Sequence, residues 1–371
     1  MSTPHRDHHF LPRSDLDRLL AALQASGYRC VGPQVRDGAI VFDDLPSAAA
    51  LPQGVHDQQG PGQYRLQAGE GERQFAWANG PQAVKPLTFV PRETLWRSRR
   101  DEAGQLTFEP VDDEARAVAV IGVRACDLAA LAIQDRHFLG GVARDPAYAA
   151  RRERLLLVAV NCSHPAATCF CASTGDGPGA SDGYDLVMDE LDDGFLVAAG
   201  SDAGASLLAQ LALAPATSEQ QSAAHEQTAQ AGASQQRGLP SRDLRDTLFA
   251  RLNHPRWDDV AARCLSCANC TLVCPTCFCH GESDHPTLDG SRSDHVREWD
   301  SCFSPDHSYM AGIVIRDDTR KRYRQWLTHK LGSWHDQFGR SGCVGCGRCI
   351  TWCPVGIDIT EEAWAICGDH S

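Results

Sequence analysis

The feature that most constrains this chain is a cysteine pattern that occurs twice. Cys264, Cys267, Cys270 and Cys274 are separated by two, two and three residues and are followed by Pro275. Cys343, Cys346, Cys349 and Cys353 repeat that spacing, ahead of Pro354. Three thiolates from one tight loop can hold three corners of a [4Fe-4S] cube, while the fourth leaves with the following helix and reaches the other cube. The ligands are therefore expected to exchange between motifs. One cluster takes Cys264, Cys267, Cys270 and Cys353, and the other takes Cys343, Cys346, Cys349 and Cys274. Gly345 and Gly347 are expected to let the loop backbone approach the inorganic sulfurs. Structural zinc is the competing reading, but zinc thiolates come as two separated pairs, whereas a triplet and a single occur here twice in register.

Whether cysteines ligate metal or form disulfides depends on compartment. The start, MSTPHRDHHFLPRSD, has no apolar segment and no small-residue cleavage pattern, and no purely apolar run is longer than the six residues of Leu155 to Val160. A cytoplasmic chain with reduced thiols and no membrane insertion is expected. Of 17 cysteines, twelve fall between Cys264 and Cys367, so the C-terminal third reads as a metal domain. With 48 acidic against 35 basic side chains, the net charge of -13 repels phosphate backbones and anionic lipid, so nucleic acid is not an expected partner. No GxGxxG follows a strand, and neither GxxxxGK[ST] nor HExxH occurs, so no catalytic residue is expected on this chain.

At 371 residues the chain exceeds one ordinary domain. The expected fold is α+β and multi-domain: an N-terminal α/β domain over 1–205, a linker or solvated helix over 206–240, and a mainly helical, ferredoxin-like dicluster domain over 241–371. Ser14 is placed to cap a helix over Asp15 to Ala25 that carries Leu16, Leu19, Leu20 and Leu23 on one face, with Asp17 three residues after the cap. Tyr28 to Val31 and Ala39 to Phe42 read as a hairpin around Arg36-Asp37-Gly38, before a polar, β-rich stretch to Val90. Ala117 to Val123, a helix over Asp127 to Leu139, and Leu155 to Val160 make a βαβ unit, whose strands place ligands beyond their carboxyl ends. Ala216 to Arg237 contains no large apolar residue and is read as linker or solvated helix, followed by a helix over Arg242 to Leu252.

Those carboxyl ends are followed by Cys126 and by Cys162, with Cys169 and Cys171 in Thr168-Cys169-Phe170-Cys171 close behind. The reading adopted is a third iron–sulfur cluster on these four thiols, against inert buried cysteines. Cys277, Cys279 and Cys302 are one short of a cube and are assigned to packing around the dicluster core. Cys30 and Cys367 have no partner in spacing and are read as core or surface thiols. His5, His8 and His9 are assigned to a flexible tail. The basic run Arg316, Arg320, Lys321, Arg322 and Arg324 is read as a solvated helix face, with a docking surface as the alternative.

Several of these stretches together resemble a known family. They are Gly122-Val123-Arg124-Ala125-Cys126-Asp127-Leu128, Cys162 to Cys171, Cys274-Pro275-Thr276-Cys277-Phe278-Cys279, Trp299-Asp300-Ser301-Cys302 and Cys343-Val344-Gly345-Cys346-Gly347-Arg348-Cys349. The combination is similar to the beta, iron–sulfur subunit of cytoplasmic, sulfhydrogenase-type NAD(P)-linked nickel–iron hydrogenases, a family related to the A subunit of anaerobic sulfite reductase. The resemblance implies an electron-transfer subunit that joins hydrogenase small and large subunits to a flavin, NAD(P)-binding diaphorase subunit. The chain lacks the paired Cys-x-x-Cys sites of the nickel–iron centre and the sirohaem cysteine spacing, in line with a non-catalytic role. The alternatives are the same module serving sulfite reduction and, in another class, a stand-alone iron–sulfur sensor or scaffold.

Overall fold

The apolar run Leu155–Val160 lies beside Val118–Val123 in the middle of an eight-stranded mixed sheet. The computed structural model describes residues 7–111, 116–241 and 243–368. Across the sheet the strands run Ala214–Pro215, His9–Pro12, Gly194–Ala199, Leu186–Glu190, Leu155–Val160, Val118–Val123, Arg29–Arg36 and Ala39–Asp44. The four from Leu186–Glu190 to Arg29–Arg36 are mutually parallel, and the outer pairings are antiparallel. Every residue of Val118–Val123 is buried, which is why this strand reads as a continuous apolar run rather than an alternation. The helix Ala125–Phe138 completes the expected βαβ unit.

One face of the sheet is covered by the helices Leu16–Ala25 and Asp202–Leu211. Leu16, Leu19, Leu20 and Leu23 are all buried there, as their spacing predicts. Ser14 does not cap this helix. It sits in a 3-10 turn, Arg13–Asp15, and its hydroxyl bonds to Asp15 Oδ1 at 3.2 Å. The turn is pinned by Arg13, whose guanidinium donates to the buried Glu190 at 2.6 Å. Asp17 accepts instead from the backbone of Ala48 at 2.6 Å. His8 and His9 are not a loose tail either: His9 opens the strand His9–Pro12, and the His8 carbonyl accepts from Ala216 N at 2.9 Å. His5 lies outside the described residues. The hairpin at Arg36-Asp37-Gly38 forms with φ of 48° at Asp37 and 73° at Gly38, the two left-handed residues that a two-residue loop of this twist requires.

The stretch poor in large apolar residues is helical over Ser218–Ala233. Thr217 and Gln220 close a reciprocal capping box at its start. Small side chains let it pack closely, burying Ala224 against Leu191 and Leu196. The next helix spans Leu244–Ala250; Arg242, where it was expected to begin, lies outside the described residues. A second, antiparallel sheet orders His280–Pro286, Arg292–Trp299, Arg92–Arg100 and Leu106–Pro110, so strands from both sides of 206–240 pair in it. The part after residue 240 therefore does not form as a mainly helical unit, because strands, including the small hairpin Tyr309–Met310 and Ile313–Val314, stand between its short helices. Among the described residues no helix is long and apolar enough to cross a membrane.

If Ser218–Ala233 is a packed helix rather than a tether, removing its cap destabilises the whole domain. Thr217→Ala is expected to cost about 1 kcal/mol, measured as a lower urea midpoint at unchanged slope; an unmoved midpoint would mark the segment as a linker.

Candidate iron–sulfur centres

The two cysteine motifs fold into loops of the same shape. In the first, Ser266 and Ala268 adopt left-handed φ of 51° and 67°; in the second, Gly345 and Gly347 stand at the equivalent positions with 64° and 73°. Each loop turns a backbone N–H towards its first thiol: Ser266 N to Cys264 Sγ at 3.4 Å, and Gly345 N to Cys343 Sγ at 3.5 Å. Ile357 N adds a third such bond, to Cys353 Sγ at 3.3 Å. N–H donors aimed at thiolates stabilise the charged form and tune any metal group those thiolates hold.

Cys264, Cys267, Cys270 and Cys353, together with Cys349 from the second motif, line one cavity of about 30 Å³, walled by Phe303, Tyr323, Trp326 and Ile357. The Tyr323 hydroxyl and Trp326 Nε1 are buried there without a hydrogen-bond partner. Orphaned donors of this kind cost free energy unless something supplies acceptors, and the sulfide-rich face of a cube would do so. Cys274 does not line this cavity and lies close enough to Cys343, Cys346 and Cys349 for its charge to act on all three thiols. Burial pushes the Cys343 thiol up to about 12 and holds those of Cys270 and Cys349 well above the ordinary range, with neighbouring thiols adding to the rise. Among the described residues no three His, Cys, Asp or Glu side chains close on a single ion. The cysteines of the two motifs are thus close neighbours, and an all-thiol donor set of this kind suits iron–sulfur cubes rather than a single ion.

The α/β part contributes a third set. Cys126 begins the helix after Val118–Val123, Cys162 follows Leu155–Val160, and Cys169 and Cys171 flank the buried Phe170. Cys162 and Cys171 both act on the Cys169 thiol, Cys171 acts on Cys126, and Cys346 acts on Cys126, Cys169 and Cys171. Burial is the leading cause of the upward shift at all four thiols, and takes Cys171 to about 12. Gln235 Nε2 donates to Cys171 Sγ at 3.3 Å, and Cys169 Sγ lies 3.9 Å from the Cys346 carbonyl.

This third set docks on the second loop through backbone. Phe170 N donates to Gly345 O at 2.8 Å, and the Thr168 and Thr351 hydroxyls meet at 2.8 Å. A Cβ on Gly345 would fall 2.5 Å from Cys171 N, and one on Gly347 would strike the Thr168 carbonyl. Since Ser and Ala adopt the same φ in the first loop, it is this crossing, rather than approach to inorganic sulfur, that demands glycine in the second. Arg348 then reaches Asp127 with both terminal nitrogens, at 2.8 and 3.1 Å, and donates to Gly80 O at 3.0 Å; the ion pair is 1% and 2% exposed. Arg124, equally buried, donates to the carbonyls of Phe75, Trp77, Val160 and Asn161.

Cys277 lies beside Cys274 with Cys279 next to it, and Cys302 neighbours Cys279 and Cys270. A hydrogen bond from Cys277, with the buried Lys330 ammonium behind it, pulls the Cys274 thiol well below its ordinary range while Cys277 rises. Cys302 is pushed up to about 12, first by burial and then by Cys279. Cys30 and Cys367 are buried, as core thiols are. The basic run spends its charges locally: Arg320 pairs with Asp258 at 2.8 Å, Arg322 and Arg324 donate to the carbonyls of Arg316 and Leu252, and Lys321 meets Asp317. Nothing in the sequence marks the buried Lys85 and Lys330. A lysine two residues into a turn after a basic helix gives no signal of its own, and Lys85 lies far from any cysteine in sequence.

Residues 263–357 match the 4Fe-4S dicluster domain family. Sulfhydrogenase 2 subunit beta of Pyrococcus furiosus is 32% identical over 277 residues, covering 74% of this chain and 79% of that protein. The chain belongs to the sulfhydrogenase beta-subunit family. It is an iron–sulfur protein of the hydrogenase beta-subunit type, as the resemblance implied. No solved structure matches the chain.

Two outcomes test the geometry. Arg348→Met leaves the Asp127 carboxylate buried without its partner and should cost about 3–5 kcal/mol in urea unfolding. The double variant with Asp127→Leu should recover much of that loss, whereas additive losses would mean the pair is not a unit. Asp300 first, and the Cys279 thiol second, push the His307 imidazole up to about 9. That stabilisation is complete below the unfolded value of about 6.5 and is lost as pH rises through about 9. The urea midpoint of His307→Gln should therefore vary less over that window than that of the unsubstituted chain.

Proposed function

We propose that this chain is a non-catalytic electron relay: it passes electrons between a nickel–iron hydrogenase module of small and large subunits and a flavin, NAD(P)-binding module. The observation that supports the reading is that the thiols of the three proposed sets neighbour one another through the fold. Cys264, Cys267, Cys270 and Cys353 adjoin Cys274, Cys343, Cys346 and Cys349, with Cys270 acting on Cys349. The second set adjoins Cys126, Cys162, Cys169 and Cys171 through Cys346. Two [4Fe-4S] clusters would be held by the first two sets and a third by the last. A thiolate-saturated cube, when bound, exchanges one electron and offers no open position to substrate.

The chain's own residues then have three tasks. The cysteines hold the groups in a fixed order, the apolar wall of Phe303, Tyr323 and Trp326 keeps water from one of them, and backbone N–H groups of the two loops neutralise thiolate charge. The relative's printed name, with the shared dicluster domain, supports a place in a hydrogenase complex. The cytoplasm is the compartment proposed, since these thiols must stay reduced until loaded.

Anaerobic reconstitution of the full chain should give about twelve iron and twelve sulfide, four of each per cube. The double variant Cys169→Ser, Cys171→Ser should lower both to about eight; an unchanged content would make those thiols structural. Cys353→Ser should damage the centre that contains Cys264, Cys267 and Cys270 rather than its sequence neighbours. In the assembled complex, Cys349→Ser should abolish hydrogen-dependent NAD(P) reduction while NAD(P)H oxidation by an artificial acceptor persists. Purification with a sirohaem subunit and sulfite consumption would replace the hydrogenase assignment.

A further inference from the structure

The two C-terminal thiol sets share a spacing and a loop shape, but their surroundings differ in charge. The side chains around Cys264, Cys267, Cys270 and Cys353 are apolar or neutral, with Tyr323 and Trp326 as the buried donors. Beside Cys274 stand two buried ammonium groups. Lys330, 3% exposed, donates to Thr276 Oγ1 at 2.9 Å and to Gly342 O at 3.4 Å, and lies 4.9 Å from the Trp334 ring. Lys85, 5% exposed, donates to the carbonyls of Leu272 and Cys274, both at 3.1 Å, and sits 3.8 Å over Trp299. The pair brackets the segment Cys274–Thr276 from two sides.

Neither lysine meets a carboxylate among the described residues. Arg348, also close to Cys346, is neutralised by Asp127. A buried ammonium without a counter-charge is costly, by several kcal/mol. The anions within reach of this pair are thiolates, Cys274 first among the proposed ligands with Cys277 beside it, together with the net negative charge of the group the ligand set holds. The backbone adds a second sign. Lys330 rides on a five-residue π turn, His329–Ser333, between the helices Thr319–Thr328 and Trp334–Phe338. Such turns are rare and concentrate at functional positions.

We infer that Lys330, assisted by Lys85, is a positioning residue for electrons: it raises the reduction potential of the Cys274, Cys343, Cys346 and Cys349 centre. The inference rests on the proposed assignment of these thiols to a cluster. Reduction adds one negative charge to that centre. Burial alone opposes the addition, and a fixed positive charge in a low-dielectric surround favours it. Lys330 thus keeps the more enclosed C-terminal centre reducible beside its partner, where Cys267 is exposed to solvent. Without it, the middle station of the relay would be harder to reduce than its C-terminal partner, and electrons would stall before reaching the Cys126 set.

The test is an EPR-monitored redox titration of the anaerobically reconstituted full chain, with iron and sulfide counted on the same samples. In Lys330→Met one C-terminal centre should shift downwards, so that at its former midpoint the reduced-to-oxidised ratio falls tenfold or more, about 59 mV for a one-electron couple. The other C-terminal centre should stay put. Lys330→Arg, which keeps the charge, should remain within threefold, and Lys85→Met should move the same centre in the same direction. Full iron content with both midpoints unmoved in Lys330→Met and Lys85→Met would overturn the inference, as would loss of one cube's iron from both. If the unsubstituted chain takes up no cubes, it is the cluster assignment itself that fails, and the iron count reports that separately.

Discussion

The buried pair between Arg348 and Asp127 is the contact that seats the second cysteine loop on the α/β part of the chain. It ties the second cysteine loop to the helix that follows the central strand of the large sheet, and so brings Cys346 against the thiols of Cys126, Cys169 and Cys171. An ion pair this enclosed is poor at adding net stability, because taking both charges out of water costs about what their attraction returns. What it does well is exclude alternatives. A loop shifted by one residue would leave a carboxylate and a guanidinium buried and alone. Gly345 and Gly347 enforce the same register by shape, since the chain at 168–171 passes where any Cβ would stand.

The contrast between the two cysteine loops shows what the sequence made legible and what it did not. The duplicated spacing was readable because each thiol has a local partner at a fixed offset, and the strands Val118–Val123 and Leu155–Val160 because continuous burial leaves a continuous apolar run. The reason for the glycines was not readable. Their φ values are met equally by Ser266 and Ala268, and the neighbour that forbids a side chain lies about 175 residues away in sequence. Arg348 and Asp127 stood in plain view inside two motifs, but nothing in either motif names the other. Lys85 and Lys330 are unmarked for the same cause, since a buried cation is recognised by what surrounds it. At Ser14, local capping preference lost to Arg13, which is held by Glu190 across the sheet.

Among the C-terminal thiols proposed as ligands, burial raises Cys264, Cys270, Cys343, Cys346 and Cys349, while Cys274 is drawn down. Burial thus favours the neutral thiol at these positions over an interior crowded with uncompensated negative charge. Loading a cluster must remove those protons, so assembly is coupled to proton release. Cys274 is the thiol already drawn towards its charged form, with Lys330 waiting beside it.

The antiparallel sheet of four strands takes two from before residue 111 and two from after residue 279. During synthesis Arg92–Arg100 leaves the ribosome some 190 residues before its partner Arg292–Trp299 is available. For that interval it is an unpaired edge, the kind of strand that invites pairing with other chains. Its composition answers the hazard: Arg92, Arg97, Arg99 and Arg100 place repulsive charge along the waiting strand. Once Arg292–Trp299 arrives, Glu298 and Asp294 meet Arg92 and Arg97 at 3.0 and 3.3 Å, and the guard charges become cross-strand pairs. The newborn chain thus carries its own protection through the long delay that a sheet assembled from distant segments imposes.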